Sequence, residues 1–199
     1  MKKHLDFYFD FLSPFAYLAE TQIGAIADRF GLELCYKPID LQAAKLAAGN
    51  NGPSNRQVPP KLRYLTTDME RWAQRYNVPL KFPPTYASER ANRGTFYAID
   101  RGQQRDYVHR LYLAVWGQGE DMSDEAVLRK IAVSLGWSGD EFLAYTQGED
   151  SARRYNEINK EAHARGVFGV PAMFVGNEMW WGNDRLQFLT EYLESYVSR

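Results

Sequence analysis

The sequence predicts one α/β fold whose sheet-forming core is interrupted by a large helical insertion. A strand, a helix and a strand open the chain, roughly a hundred residues of helical periodicity follow, and a helix, two strands and a helix close it. The two closing strands are too short to form a stable sheet alone, so we expect them to join the opening pair. The length of 199 residues, 45% of them hydrophobic, suits a core of this size.

The opening unit has clear boundaries. Apolar residues alternate with other residues from Leu5 to Phe11, which predicts the first strand. An apolar stripe of helical spacing then runs from Phe15 to Phe30, and Gly31 follows at a position that favours helix termination. Alternation returns from Leu32 to Lys37, and Pro38 ends the second strand.

The middle block is predicted to be helical apart from a Gly-, Asn- and Pro-rich loop over residues 49–60. Helices are predicted over residues 40–48, 62–76 and about 150–165, and a weaker one is predicted to begin near residue 88. Apolar stripes predict two more, one containing residues 108–115 and one containing residues 128–135 with Ser123 as its N-cap. A further helix is predicted to begin after Ser138 as its N-cap.

The closing unit is predicted to be a β-hairpin and a helix. Residues 171–175 and 178–181 read as strands joined by Gly176-Asn177, and Asn183 or Asp184 caps the last helix. The predicted domains are a sheet domain of residues 1–48 and 166–199 and a helical insertion of residues 49–165.

The amino-acid composition limits the classes of molecule that this protein is expected to bind. The 24 basic and 25 acidic residues leave a net charge of −1, which predicts no binding to nucleic acid or to an anionic membrane surface. The longest apolar run, residues 111–117, is far below the roughly 18 residues of a membrane span, and the first residues lack the apolar stretch of a secretory signal. We therefore expect a cytoplasmic protein.

The single cysteine, Cys35, has no cysteine or histidine neighbours at the spacing of a zinc site, so the sequence predicts no metal site.

Three motifs stand where functional groups could gather. Ser13 precedes Pro14 at the start of the first helix, where backbone N–H groups attract anions, although an ordinary helix cap also explains this pair. Pro171 follows Gly169-Val170 at a strand start, and a strand-initial proline needs no functional reason. The segment W-W-G-N-D-R over 180–185 is equally compatible with core packing and a helix cap.

The sequence resembles proteins with a thioredoxin-like fold and an all-helical insertion, of the DsbA-like kind. The motifs that support this resemblance are S-P-F-A, G-V-P and W-G-N-D-R. Redox members of that fold carry C-x-x-C where this chain has Ser13 and Ala16, so thiol–disulfide exchange is not expected. More closely, F-D-F-L-S-P-F-A-Y-L and the N-x-G-P-x-N-R loop at 50–56 are similar to the 2-hydroxychromene-2-carboxylate isomerase family. This family is grouped with kappa-class glutathione transferases and acts in bacterial naphthalene breakdown.

The resemblance implies that glutathione is the cofactor and Ser13 the catalytic residue, hydrogen-bonded to the glutathione sulfur. It implies a cis peptide bond at Pro171, which leaves the Val170 backbone free to pair with the cysteinyl unit. The glutamyl end would be held by Trp181, Gly182, Asn183 and Asp184.

The family substrate is a small aromatic carboxylate, and the resemblance implies that Lys45, Asn55, Arg56 and Tyr86 contact it. Each of these residues also has an ordinary explanation as a surface, loop or packing residue, and Lys61 is a weaker candidate. A homodimer is implied as well.

The predicted activity is glutathione-dependent cis–trans isomerisation of 2-hydroxychromene-2-carboxylate. A covalent role for Ser13 is disfavoured, because the sequence has no G-x-S-x-G elbow and no evident histidine partner. Two alternatives remain open: a kappa-type transferase that conjugates another electrophile, and a non-catalytic module with an aromatic groove for peptides.

Overall fold

A four-stranded mixed sheet forms the centre of the computed structural model, which describes residues 3–197 and side chains through Ser195. The strands are β1 (His4–Phe9), β2 (Glu33–Pro38), β3 (Ala172–Val175) and β4 (Glu178–Trp181). Their order is β2-β1-β3-β4, with β1 and β2 parallel and the other two pairs antiparallel. The prediction that the closing hairpin joins the opening strands is confirmed.

Nine α-helices surround or extend this sheet within the described residues. They are α1 (Pro14–Arg29), α2 (Leu41–Ala47), α3 (Pro59–Tyr76), α4 (Glu89–Ile99), α5 (Gln104–Tyr112), α6 (Glu125–Ser134), α7 (Gly139–Gln147), α8 (Glu149–Ala164) and α9 (Leu186–Val197). Short 3-10 turns cover Asn55–Gln57 and Asn183–Arg185, and a π-helical turn over Leu113–Gly117 continues α5.

Two local predictions were wrong. The first strand ends at Phe9 instead of Phe11, because the chain turns there and the Ser13 N–H donates to the Asp10 carbonyl at 2.9 Å. Ser123 does not cap α6: Asp124 does, accepting a hydrogen bond from the Ala126 N–H at 2.8 Å.

Aromatic side chains join the sheet to the helical insertion. Phe11 packs at ring-centroid distances of 5.3 Å from Phe9 and 4.6 Å from Tyr112. The Trp116 indole N–H donates to the Phe11 carbonyl at 2.8 Å, and the Tyr112 hydroxyl donates to the Asp10 carbonyl at 2.9 Å. The insertion thus contributes directly to the turn between β1 and α1.

The division into a sheet domain of 1–48 plus 166–199 and an insertion of 49–165 stays a prediction, and its residues 1–2 and 198–199 lie outside the described residues. Within 3–197, every helix falls short of the length or the hydrophobicity that spanning a bilayer requires.

Candidate active site

Ser13 is the N-cap of α1. Its side-chain oxygen accepts a hydrogen bond from the Ala16 N–H at 3.2 Å, and Pro14 begins the helix where a missing N–H costs nothing. The residue is 4% exposed. No described residue accepts a hydrogen bond from the Ser13 hydroxyl, so its proton is available to an anion at the helix terminus.

A buried pair, Asp10 and Asn92, fixes the backbone of the turn that presents Ser13. The Asp10 carboxylate accepts from the Leu12 N–H at 3.2 Å and from the Leu41 N–H at 3.0 Å. The Asn92 amide donates to the same carboxylate at 2.9 Å and accepts from the Phe11 N–H at 3.2 Å. One buried carboxylate therefore ties the β1–α1 turn to the start of α2 and to α4.

The surroundings of Asp10 shift the pKa of its carboxyl group in opposite directions. Burial raises the pKa of this carboxyl, while hydrogen bonds from Ser88, Leu41, Asn92 and Leu12 act to lower it. Because all these neighbours donate, they satisfy the ionised form. Sequence analysis missed both members of the pair; the acidic residue between two phenylalanines at the end of a buried strand was the available signal.

The Val170–Pro171 peptide bond is cis, as the resemblance implied. The Pro171 carbonyl accepts from the Gly182 N–H at 2.9 Å, which ties this segment to the end of β4. Among the described residues, the backbone N–H and C=O of Val170 make no hydrogen bond. An extended peptide could therefore pair with both groups.

The segment from Trp181 to Asp184 lies beside that backbone. Trp181 is half exposed and packs edge-to-face against Phe168 with 4.9 Å between ring centroids, and Gly182 has a φ of 108° that favours glycine. Asn183 is 3% exposed, and its side-chain amide nitrogen has no partner among the described residues. The Asp184 carboxylate pairs with Arg185 at 2.5 Å.

A cavity of about 330 Å³ adjoins this segment. Asn183 and Asp184 line it together with Trp72 and the cationic side chains of Arg29 and Arg75. Its mixture of an amide, a carboxylate and guanidinium groups suits a zwitterionic ligand.

Three of the predicted substrate residues lie together next to the Ser13 turn. The Arg56 guanidinium lies 3.3 Å from the centroid of the Tyr86 ring and donates to the Leu12 carbonyl at 3.4 Å. Burial and the Arg56 charge lower the pKa of Lys45. Two cations that repel each other beside an aromatic ring form a suitable site for an aromatic carboxylate.

Asn55 and Lys61 are less involved. Both are exposed, and no described contact links either side chain to Arg56 and Tyr86, although Asn55 starts the 3-10 turn that carries Arg56. Sequence analysis also missed two further aromatic residues. The buried Trp116 lies 6.0 Å from Phe82 and 6.2 Å from Tyr86 between ring centroids, so it supports these two exposed rings near the turn.

Comparison with known proteins identifies the family of this chain. A family model for the DSBA-like thioredoxin domain matches residues 4–194. A 2-hydroxychromene-2-carboxylate isomerase of Sphingobium xenophagum is 44% identical over 97% of this chain and 99% of its own length. Its counterpart from Pseudomonas putida is 46% identical over 93% of this chain and 91% of its own.

A solved structure of selenomethionine 2-hydroxychromene-2-carboxylate isomerase matches with a TM-score of 0.93 at 44% identity, covering 96% of this chain and 95% of that one. Glutathione S-transferase kappa 1 of Rattus norvegicus is more distant, 22% identical over 95% of this chain and 90% of its own length.

The sheet order, the helical insertion and the family match define a thioredoxin-fold protein of the DsbA-like class. Within that class, the chain belongs to the 2-hydroxychromene-2-carboxylate isomerase family and is an isomerase. The fold, the family and the relationship to kappa-class transferases that the motifs predicted are confirmed.

Proposed function

We propose that the protein is a glutathione-dependent isomerase that interconverts 2-hydroxychromene-2-carboxylate and trans-o-hydroxybenzylidenepyruvate. The observation that carries this proposal is the position of Ser13, whose hydroxyl proton is free at the terminus of α1 beside Arg56 and Lys45. An anionic nucleophile held at Ser13 would lie near two cations that can bind the carboxylate of the substrate.

The residues present fit glutathione. The unpaired backbone of Val170 can receive the cysteinyl unit, and the unpartnered amide of Asn183 can donate to the glutamyl carboxylate. Asp184 can pair with the glutamyl ammonium once it separates from Arg185. Because Ala172 pairs with Tyr8, Val170 and Pro171 lie at the end of β1 that leads to Ser13, and a tripeptide bound there would bring its sulfur to that end of the strand.

The energies available at Ser13 suffice to ionise that sulfur. A thiol with a pKa near 8.5 is only about 3% thiolate at pH 7, and a pKa lower by about two corresponds to about 2.7 kcal/mol. A helix terminus contributes roughly 0.3–1 kcal/mol, and a hydrogen bond to a charged acceptor contributes about 1.5–3 kcal/mol.

Bound glutathione would supply a thiolate nucleophile able to add reversibly to the conjugated chain of the ring-opened substrate, which would permit rotation about the resulting single bond. Ser13 would hold the sulfur anion by donating its hydroxyl proton to it. Arg56 and Lys45 bind the substrate carboxylate and stabilise the negative charge that the addition moves toward it. The exposed rings of Tyr86 and Phe82, which both pack on the buried Trp116, can cover the aromatic part of the substrate.

The test is the dependence of isomerisation on glutathione. The purified protein should turn over 2-hydroxychromene-2-carboxylate only with glutathione present, and product analysis should recover the glutathione unchanged. S-Methylglutathione is the matched control, because it should compete for the site without supporting turnover. Full activity in the absence of any thiol would refute the proposal.

The more distant kappa-class relatives favour one alternative, a transferase that leaves glutathione attached to its product. Mass spectrometry of the product distinguishes the two reactions. We also propose a role in naphthalene degradation, a cytoplasmic location and a homodimer. Growth of a deletion strain on naphthalene, cell fractionation and light scattering test these three proposals in turn.

A further inference from the structure

Three side chains with metal-binding atoms meet on one face of the sheet, at the end remote from Ser13. His4 and Glu33 are direct partners in the parallel register of β1 and β2. Cys35 lies two residues beyond Glu33 and therefore projects from the same face. Ser13 follows the opposite end of β1, so this cluster is separate from the candidate active site.

The spacing of the cluster approaches that of a metal centre. The His4 Nδ1 atom lies 3.5 Å from the Cys35 sulfur and 3.8 Å from a Glu33 carboxylate oxygen, and all three ligand atoms lie within 4.8 Å of one another. Tetrahedral zinc with bonds of about 2.0–2.3 Å holds its ligand atoms roughly 3.3–3.6 Å apart. Small side-chain movements would therefore complete three bonds to one ion.

Two carboxylates flank Cys35: that of Glu33, within the cluster, and that of Asp6, which is paired with Arg165. Asp6 is the register partner of Cys35, and burial, Asp6 and Glu33 together raise the pKa of the Cys35 thiol. Lys37 opposes this effect, but it is paired with Glu161 at 3.3 Å. A metal ion at this site would bind Cys35 as the thiolate and release one proton.

We propose that His4, Glu33 and Cys35 form a binding site for Zn²⁺ or a similar divalent cation, with water as a further ligand. Imidazole nitrogen, thiolate sulfur and carboxylate oxygen together match the borderline-soft preference of zinc. The site would bridge β2, which is an edge strand, to β1. Sequence analysis could not identify this site, because the pairing of β1 with β2 brings together ligands that lie up to 31 positions apart in the chain.

Titration of the metal-free full chain with Co²⁺ tests this proposal. The chain has one cysteine, so a thiolate-to-Co²⁺ charge-transfer band reports Cys35 alone. We expect a band that saturates at one equivalent and is absent in Cys35→Ser. Competition with Zn²⁺ should show at least about tenfold weaker affinity in His4→Gln and in Glu33→Gln, since even outer-shell changes weaken metal sites about 10–100-fold.

His109→Gln is the matched control, because it removes a histidine far from this cluster and should bind Zn²⁺ like the wild type. Circular dichroism verifies that each variant is folded. Two results would overturn the proposal: no charge-transfer band with excess Co²⁺, or Zn²⁺ affinity unchanged by both His4→Gln and Glu33→Gln.

Discussion

Replacing Ser13 with alanine separates the structural role of this residue from its proposed chemical role. The substitution removes the oxygen that accepts from the Ala16 N–H at 3.2 Å, and it also removes the hydroxyl proton that would stabilise the glutathione sulfur. The first loss affects folding, whereas the second affects only the bound thiol. The two effects are therefore measurable independently.

Each effect has an expected size. Loss of a serine N-cap costs about 0.5–2 kcal/mol of unfolding free energy. Loss of a hydrogen bond to a charged acceptor, about 1.5–3 kcal/mol, corresponds to a decrease in kcat/KM of roughly 10- to 150-fold. The same energy should raise the pKa of bound glutathione by about 1 to 2, because the thiolate loses its donor.

Urea denaturation measures the first effect, and the ultraviolet absorbance of the thiolate as a function of pH measures the second. Ser138→Ala is the matched control, because Ser138 caps α7 by accepting from the Glu141 N–H at 3.4 Å and is remote in sequence from the Ser13 turn. It should lose stability without changing turnover. Equal kcat/KM values for Ser13→Ala and the wild type would refute the proposed role of Ser13.

Three further predictions concern other parts of the molecule. Asn92→Leu should lower the unfolding free energy by at least about 2 kcal/mol in urea denaturation, because it leaves Asp10 and a backbone N–H without their buried partner. Arg56→Ala should raise KM for the carboxylate substrate about tenfold or more in steady-state assays, whereas a purely structural role would leave KM unchanged. The hydrogen bond that His109 donates to the Glu20 carboxylate raises the pKa of His109, so this pair stabilises the fold below the unfolded pKa of about 6.5 and loses its effect as pH rises through the folded pKa. Thermal denaturation across this range should show a flatter pH dependence for His109→Gln, and parallel profiles would contradict the assignment.

Local patterns were sufficient to predict most of the fold. Alternation marked the first strands, and the positions of Ser13-Pro14 and Gly31 marked the limits of α1 almost to the residue. The cap of α6 was misassigned because serine and aspartate stand next to each other at 123 and 124, and only the observed hydrogen bonds distinguish them. Propensity alone could not make that choice.

Sequence analysis could name candidate site residues that lie within short motifs. It could not predict contacts between residues that are distant in the sequence. The motif resemblance named Arg56 and Tyr86 as substrate contacts; both lie beside the turn, and their contact with a substrate stays a prediction. The resemblance could not reveal that Asn92, 82 positions from Asp10, stabilises that turn by donating a hydrogen bond to the Asp10 carboxylate. Such a contact depends on how α4 packs against the sheet, and no local periodicity encodes it.

The two hydrogen bonds from Trp116 and Tyr112 to the carbonyls of Phe11 and Asp10 have a consequence for engineering. They make the helical insertion an integral support of the β1–α1 turn, since deleting or exchanging the insertion would remove donors from the peptide groups just before Ser13. Chimaeras between related enzymes should therefore exchange this turn and its two aromatic anchors as one unit.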